Sequence, residues 1–184
     1  NQNGEIDVIS SLVDQGAEIM INLSASPYSV NRIRDRIDIV RQKVQEVQIP
    51  FIYCNIVGAQ DELIFDGYSF VINNNGSLIH LCNGFSESIE VIEINQTIEK
   101  EFPLMKKEKE IFNALSLGVK DYFLKTNHKL AVIGLSGGID SALTAAIAVD
   151  ALGSENVYGY SMPSCYSSEH SITDAKKLAM NLGI

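Results

Sequence analysis

The stretch Leu130-Ala-Val-Ile-Gly134-Leu135-Ser136-Gly137-Gly138-Ile139-Asp140-Ser141, continued by the apolar run Ala142 to Leu152, decides the fold of its half of the chain. An apolar strand enters a Ser-Gly-Gly-Ile-Asp-Ser turn and leaves it as a helix. Such a turn gathers free backbone N–H groups, two hydroxyls and a carboxylate at a helix N-terminus, where a polyphosphate is well placed. Gly137 and Gly138 permit backbone conformations that a β-carbon forbids, and a close approach to phosphate. Asp140 offers the oxygen that a magnesium ion takes as ligand. No Lys follows the second glycine, so this is not a Walker A loop, whose Lys reaches the terminal phosphates. That directs the chemistry to the α-phosphate of ATP rather than the γ-phosphate.

Around the turn the pattern is helix, strand, helix, strand, helix. Ile111, Leu115, Val119 and Phe123 recur at helical spacing up to about Lys125. Strands follow at 130–135 and 157–162, with a helix at 139–152 between them. Ser171-Ile-Thr-Asp174 reads as a capping box opening a helix that reaches Asn181. This spacing predicts a parallel sheet with right-handed crossovers, the start of a Rossmann-like domain over 111–184. A doubly wound domain needs more strands than these. Leu182-Gly183-Ile184 stops where a helix would turn into the next strand, so the sequence is expected to be an internal portion of a longer protein.

The chain before this domain is also α/β. Glu18 to Leu23 reads as a buried strand, and Asn31 to Gln48 as an amphipathic helix with Ile33, Ile37, Val40, Val44 and Val47 on one stripe. Arg and Asp residues lie opposite that stripe. Pro50 ends the helix and Phe51 to Val57 follows as a strand. Tyr68–Ile72 and Ser77–Leu81 form a hairpin across Asn73-Asn-Asn-Gly76, with the Asn-Gly pair supplying positive φ angles. Glu90 to Ile94 reads as one more strand. Composition turns polar and charged over 95–109, broken by Pro103. The division is therefore a first domain at 1–97, a linker at 98–110 and a second domain at 111–184.

Composition narrows the function. The 184 residues are 46% hydrophobic and 20% charged, which builds a packed core. A net charge of −9 argues against non-specific binding to nucleic acid or to an anionic membrane. No apolar run is long enough to span a bilayer. The region between Lys43 and Lys100 holds neither Lys nor Arg, and its acidic residues read as a solvated face, with a docking surface for a basic partner as the alternative. Cys54, Cys82 and Cys165 form no CxxC pair and share no metal-ligand spacing with His80, His128 or His170; each reads as a small buried apolar residue. An odd cysteine count without a signal peptide fits a reducing cytoplasm.

The Ser136 to Ser141 turn resembles the PP-loop of the ATP pyrophosphatase family, which includes NAD, GMP, argininosuccinate and asparagine synthetases and tRNA-thiolating enzymes. Further on, Met162-Pro163-Ser164-Cys165-Tyr166-Ser167-Ser168, with Asp174-Ala175, resembles the segment after the second strand of NAD synthetases. The resemblance implies ATP contacts at Gly134, Leu135, Ser136, Gly137, Gly138, Ile139, Asp140 and Ser141, with Ser161 and Met162 beside the adenine. It implies Mg2+ at Asp140. The hydroxyls between Ser164 and Ser171 read equally as ligand contacts or as a polar loop with a helix cap.

The first hundred residues resemble the nitrilase-type (carbon–nitrogen hydrolase) domain of glutamine-dependent NAD synthetases, through Asn22-Leu-Ser-Ala-Ser-Pro27 and through Asn55-Ile-Val-Gly-Ala-Gln60-Asp61-Glu62-Leu-Ile-Phe65-Asp66-Gly67-Tyr-Ser69-Phe70. The fold this implies is the C-terminal part of a nitrilase-like α/β sandwich. The family's Glu–Lys–Cys triad is expected upstream of Asn1, leaving no catalytic residue here; Cys54, inside a strand, is not a substitute. Ser26 and Arg32 align with the residues that hold glutamine, and a cation suits its α-carboxylate. Arg32 reads equally as an exposed residue at a helix start. Asp61, Glu62 and Asp66 read first as a solvated acidic turn, with a lining of the passage or of the domain contact as the alternative.

The resemblance as a whole implies a carbon–nitrogen ligase that amidates deamido-NAD to NAD through an acyl-adenylate, using ATP, Mg2+ and ammonia from glutamine. It implies small-molecule substrates only, a homo-oligomer, a cytoplasmic location and no turnover by this portion alone. Another PP-loop amidating ligase of the GMP synthetase kind, or an ATP-binding piece without turnover, is the alternative. GMP synthetase pairs its loop with a Cys-His-Glu glutaminase, which nothing here resembles. A tRNA-thiolating enzyme would want catalytic cysteines and a basic surface.

Overall fold

The computed structural model describes residues 7–96, 102–163 and 168–184. The chain forms two compact units: residues 1–58 with 63–110, and residues 59–62 with 111–184.

In the first unit, the short helix α1 (Val8–Asp14) precedes strand β1 (Met20–Ser24), helix α2 (Arg32–Val47) and strand β2 (Phe51–Asn55). Strands β3 (Val57–Gln60, of which residues 59–60 are grouped with the second unit) and β4 (Leu63–Asp66) pair in a two-stranded sheet of their own; β5 (Phe70–Ile72) and β6 (Leu78–Leu81) follow. The main sheet has the order β1-β2-β5-β6; β1 and β2 are parallel, with Asn22 opposite Tyr53, and the remaining pairs are antiparallel. A parallel pair needs a crossover, and α2 supplies it. Its stripe of Ile33, Ile37, Val40 and Val44 packs on Phe51, Tyr53, Phe70 and Ile72, the core of this unit. Each such side chain, fully covered as Val44 is, stabilises the fold by about 1.5–3 kcal/mol.

Several local expectations change. The predicted strand at 51–57 breaks at Ile56 into β2 and β3. At the hairpin, Gly76 alone has positive φ, at 83°. Asn73 holds the turn instead, its Oδ1 accepting the N–H groups of Asn75 at 3.1 Å and Ser77 at 2.9 Å. Residues 90–94 form no strand, because no neighbouring strand pairs with them and Val91 is fully exposed. Helix α1 was not signalled: it buries no residue, and Asp7 caps it by accepting the Ser10 N–H at 3.2 Å.

The second unit runs α3 (Lys107–Lys125, grouped here from Ile111), β7 (Ala131–Gly134), α4 (Ile139–Leu152), β8 (Val157–Tyr160) and α5 (Glu169–Leu182). Strands β7 and β8 are parallel, Ala131 facing Val157 and Gly134 facing Tyr160, as the spacing predicts. Leu135, Ala145 and Ala175 form the buried centre, with Ile133, Leu178 and Leu182 around it. Ser116 Oγ donates to Asp150 Oδ2 at 2.5 Å and ties α3 to α4. Helix α5 starts earlier than expected, because its cap is Ser168, whose Oγ accepts the Ser171 N–H at 3.2 Å. Among the described residues, no helix is long and apolar enough to cross a membrane.

Candidate functional site

The turn between β7 and α4 lies at the C-terminal ends of two parallel strands, where open α/β sheets present their crevice. Leu135 anchors it in the core, and Ser136 and Gly138 are exposed. Two hydroxyls organise the backbone. Ser141 Oγ accepts the Ser136 N–H at 3.3 Å and donates to the Gly138 carbonyl at 3.1 Å. Ser136 Oγ lies 3.0 Å from Ser141 Oγ and accepts the Gly138 N–H at 3.2 Å. The Ser136 and Gly138 amides are thus already engaged. Helix α4 has no side-chain cap, so the first-turn amides of Ile139, Asp140 and Ser141 remain for an anion.

The two glycines serve different ends. Gly137 has φ 80°, and a β-carbon there would lie 2.2 Å from the Ser171 carbonyl oxygen. Its lack of a side chain lets the turn press against the start of α5. Gly138 sits at φ −91°, ψ 165°, which any residue adopts, and a β-carbon there would meet only Ser136 Oγ at 3.4 Å. Asp140 is exposed in the first turn of α4, beside the free amides. Ile139 is also exposed. Ser136, Ser161 and Met162 line one small cavity of about 130 Å³ with Leu135 and Ser171. Met162 is exposed there, its Cε close behind Gly134. The Ser164 to Ser167 part of the downstream motif lies outside the described residues.

In the first unit, Ser26 and Arg32 line a common cavity of about 570 Å³ with Asn22, Arg36, Lys43 and Tyr53. Arg32 is exposed at the start of α2, free to meet an anion. Ser26 is clamped. Its N–H donates to Asn55 Oδ1 at 2.8 Å, and its Oγ accepts Arg36 Nε at 3.1 Å. Arg36 Nη2 donates to the carbonyls of Ser26 at 2.9 Å and Pro27 at 3.0 Å, and Nη1 meets Asp66 Oδ1 at 2.7 Å. Asn55 Nδ2 reaches Asp66 Oδ1 at 3.3 Å and the Gly67 carbonyl at 3.2 Å. Burial pushes the Asp66 carboxyl above its ordinary range, against the pull of Arg36. Burial pushes the Tyr68 phenol, close to Asp66 and Glu110, up to about 12.

Sequence reading missed Arg36, Asn55 and Asp66 as structural members of this site. Asp66 is not on a solvated turn but wholly buried, whereas Asp61 and Glu62 are exposed. The signal for Arg36 was present: it follows Ile33 by three residues and precedes Val40 by four, within the apolar stripe. Cys54 is exposed rather than buried, and it lines a different cavity from Ser26 and Arg32. Cys82 is half-buried, and Cys165 lies outside the described residues.

Known proteins resemble two successive parts of the chain. Residues 5–100 match the carbon-nitrogen hydrolase family, and residues 111–184 match NAD synthase. The glutamine-dependent NAD(+) synthetase of Synechocystis sp. is 44% identical over 98% of this chain and 33% of its own length. That of Thermotoga maritima is 39% identical over 92% of this chain and 36% of its own length. The chain thus spans about a third of the curated relatives it matches. A solved glutamine-dependent NAD+ synthetase from Acinetobacter baumannii, in complex with adenosine diphosphate, superposes with TM-score 0.89 at 34% identity, covering 96% of this chain and 34% of its own. The chain belongs to the carbon–nitrogen hydrolase family through residues 5–100, continues into an NAD synthase region, and is over nearly its whole length a homologue of glutamine-dependent NAD(+) synthetases.

Proposed function

We propose that the chain carries the ATP-binding loop of a carbon–nitrogen ligase that amidates deamido-NAD to NAD, with ammonia supplied by glutamine hydrolysis in the carbon–nitrogen hydrolase part. The observation that carries this reading is the Ser136–Ser141 turn, its three uncapped amides opening at the end of β7 within the NAD synthase region. The adenosine diphosphate complex of the Acinetobacter baumannii relative supports an adenine nucleotide.

The nicotinate carboxylate attacks the α-phosphorus of ATP, the bond to the bridging oxygen breaks, and pyrophosphate leaves. Ammonia then attacks the carbonyl carbon of the acyl-adenylate, gives up a proton, and AMP departs with the electron pair of its bond. Charge grows on the pyrophosphate during the first step. The amides of Ile139, Asp140 and Ser141 and the hydroxyls of Ser136 and Ser141 are in place to receive it, so little reorganisation is needed. Gly134, Leu135, Gly137 and Gly138 supply the backbone path, and Ser161 and Met162 flank the base. The exposed Asp140 carboxylate, an oxygen donor beside the free amides, fits a magnesium ion, which when bound neutralises phosphate charge.

On the other side, Arg32 grips the α-carboxylate of glutamine and Ser26, held by Arg36, orients it. Glutamine hydrolysis is the work of the family's Glu–Lys–Cys triad, and no residue of this chain is assigned to it. The domains run 1–97 and 111–184 about a linker at 98–110, in a cytoplasmic homo-oligomer. The test is an assay of the protein bearing this chain for AMP and pyrophosphate. Formation that depends on both deamido-NAD and glutamine is expected; formation indifferent to deamido-NAD overturns the reading.

A further inference from the structure

We propose that His80, Cys82 and Glu90 form a zinc-binding site, with the fourth coordination position open to an adjoining cavity. His80 is on β6, an outer strand of the main sheet, and Cys82 lies two residues further along. That spacing sets both side chains on the same face of the sheet. Glu90 returns to them from the segment after β6.

One donor atom from each residue lies within 4.8 Å of the others. Donor atoms around a single zinc ion are about 3.3–3.8 Å apart, given its bond lengths and tetrahedral preference. Shifts of about 1 Å therefore reach zinc spacing: the widest separation draws in, and His80 Nε2 and Glu90 Oε2, 2.7 Å apart, move outward. His80 Nε2 is shielded from solvent and makes no in-line hydrogen bond, although Glu90 Oε2 is 2.7 Å away. A shielded ring nitrogen without a hydrogen bond beside a carboxylate and a thiol is what a shared ion would satisfy. The Phe102 ring, edge-on to His80 at 6.1 Å between centroids, restricts the imidazole.

One nitrogen, one sulfur and one oxygen make a donor set of borderline softness, which suits zinc and not the hard magnesium or calcium ions. Three protein ligands leave a position free. A cavity of about 510 Å³, lined by all three residues and by Cys54 and Ser69, gives that position access to water or a small ligand. Binding converts the Cys82 thiol to a thiolate, with its proton passing to solvent. The ion also has mechanical work to do. Residues 86–96 form no strand, and Ile89 and Val91 are fully exposed, so apolar packing holds this segment poorly. A zinc ion would fasten it to β6 through Glu90.

The protein is stripped with a chelator, equilibrated with Zn2+, freed of excess and subjected to elemental analysis. About one zinc per chain and a raised unfolding temperature are expected. Cys82→Ser and His80→Ala should weaken zinc binding by at least ~100-fold. Cys54→Ser, which alters the cavity but not the trio, should keep full loading. Co2+ in place of zinc should give a thiolate-to-metal charge-transfer band in the wild type. No bound zinc, unchanged loading in Cys82→Ser, or lost loading in Cys54→Ser overturns the proposal. Should the ligand variants fail to fold, the wild-type cobalt spectrum decides, and absence of the sulfur band refutes the site.

Discussion

Arg36 Nη1 lies 2.7 Å from Asp66 Oδ1, and neither side chain reaches solvent. Arg36 comes from the core-facing side of α2 and Asp66 from the end of β4. Through its other nitrogens, Arg36 also holds the Ser26 hydroxyl and the Ser26 and Pro27 carbonyls. A buried ion pair is weak evidence of net stabilisation, because desolvation offsets the attraction, but an orphaned partner is expensive. Arg36→Met should therefore cost about 3–5 kcal/mol in denaturant unfolding. Adding Asp66→Leu to it should restore part of that loss, since the stranded carboxylate is gone. A double variant less stable than Arg36→Met would show that the pair's charge is not what the single variant exposes.

Gly137→Ala and Gly138→Ala should behave differently, although sequence alone treats the pair alike. At Gly137 the positive φ costs an L-residue about 1–2 kcal/mol, and the new methyl would also strike the Ser171 carbonyl. Displacement of α5 from the turn, a lower unfolding temperature and lost ATP binding are expected. Gly138→Ala needs no change of backbone and should fold like the wild type. Calorimetry with nucleotide titration of both variants separates them. Equal losses would place the need for glycine elsewhere.

Asp140→Ala should leave the fold intact, because the residue is exposed and packs in no core. Pyrophosphate release from ATP should nevertheless fall by about 100-fold or more, the usual effect of losing a group that stabilises transition-state charge. Raising magnesium should not restore it if Asp140 holds the ion directly. Circular dichroism with a pyrophosphate assay provides the check. An unchanged rate removes Asp140 from the site.

Long periodic elements were legible in the sequence because burial imposes their period. The stripe of α2 and the strand–turn–helix at Ser136 follow directly from it. What escaped depended on partners distant along the chain. Arg36 carries a charge that suits solvent, and the carboxylate that draws it inside, Asp66, is far away in sequence. Ile89 to Ile94 has strand-like composition, yet a strand exists only where a neighbour pairs with it. The His80–Cys82–Glu90 group has no recognised metal spacing, since its third member arrives by a loop. In the loop itself the residue types were readable, but not that Ser136 and Ser141 engage two of its amides before any ligand arrives.

Glu110 offers a test by pH. It is buried, and burial, followed by the negative charge of Asp66, holds its carboxyl above the ordinary range, with Arg34 opposing. A carboxyl raised on folding is harder to ionise in the native state than in the unfolded chain. Ionisation therefore weakens the fold, beginning at the ordinary value of 4.5 and reaching its full extent above the raised native value. Glu110→Gln removes that penalty while keeping size and polarity. The variant should unfold at a higher temperature than the wild type at neutral pH. The gain should shrink on acidification and vanish below about pH 4, where both states of the wild type are protonated. Asp66 titrates in both proteins, and its repulsion of Glu110 is part of the penalty that the variant removes. A gain that persists unchanged in acid would mean that shape, rather than charge, distinguishes the two side chains at this position.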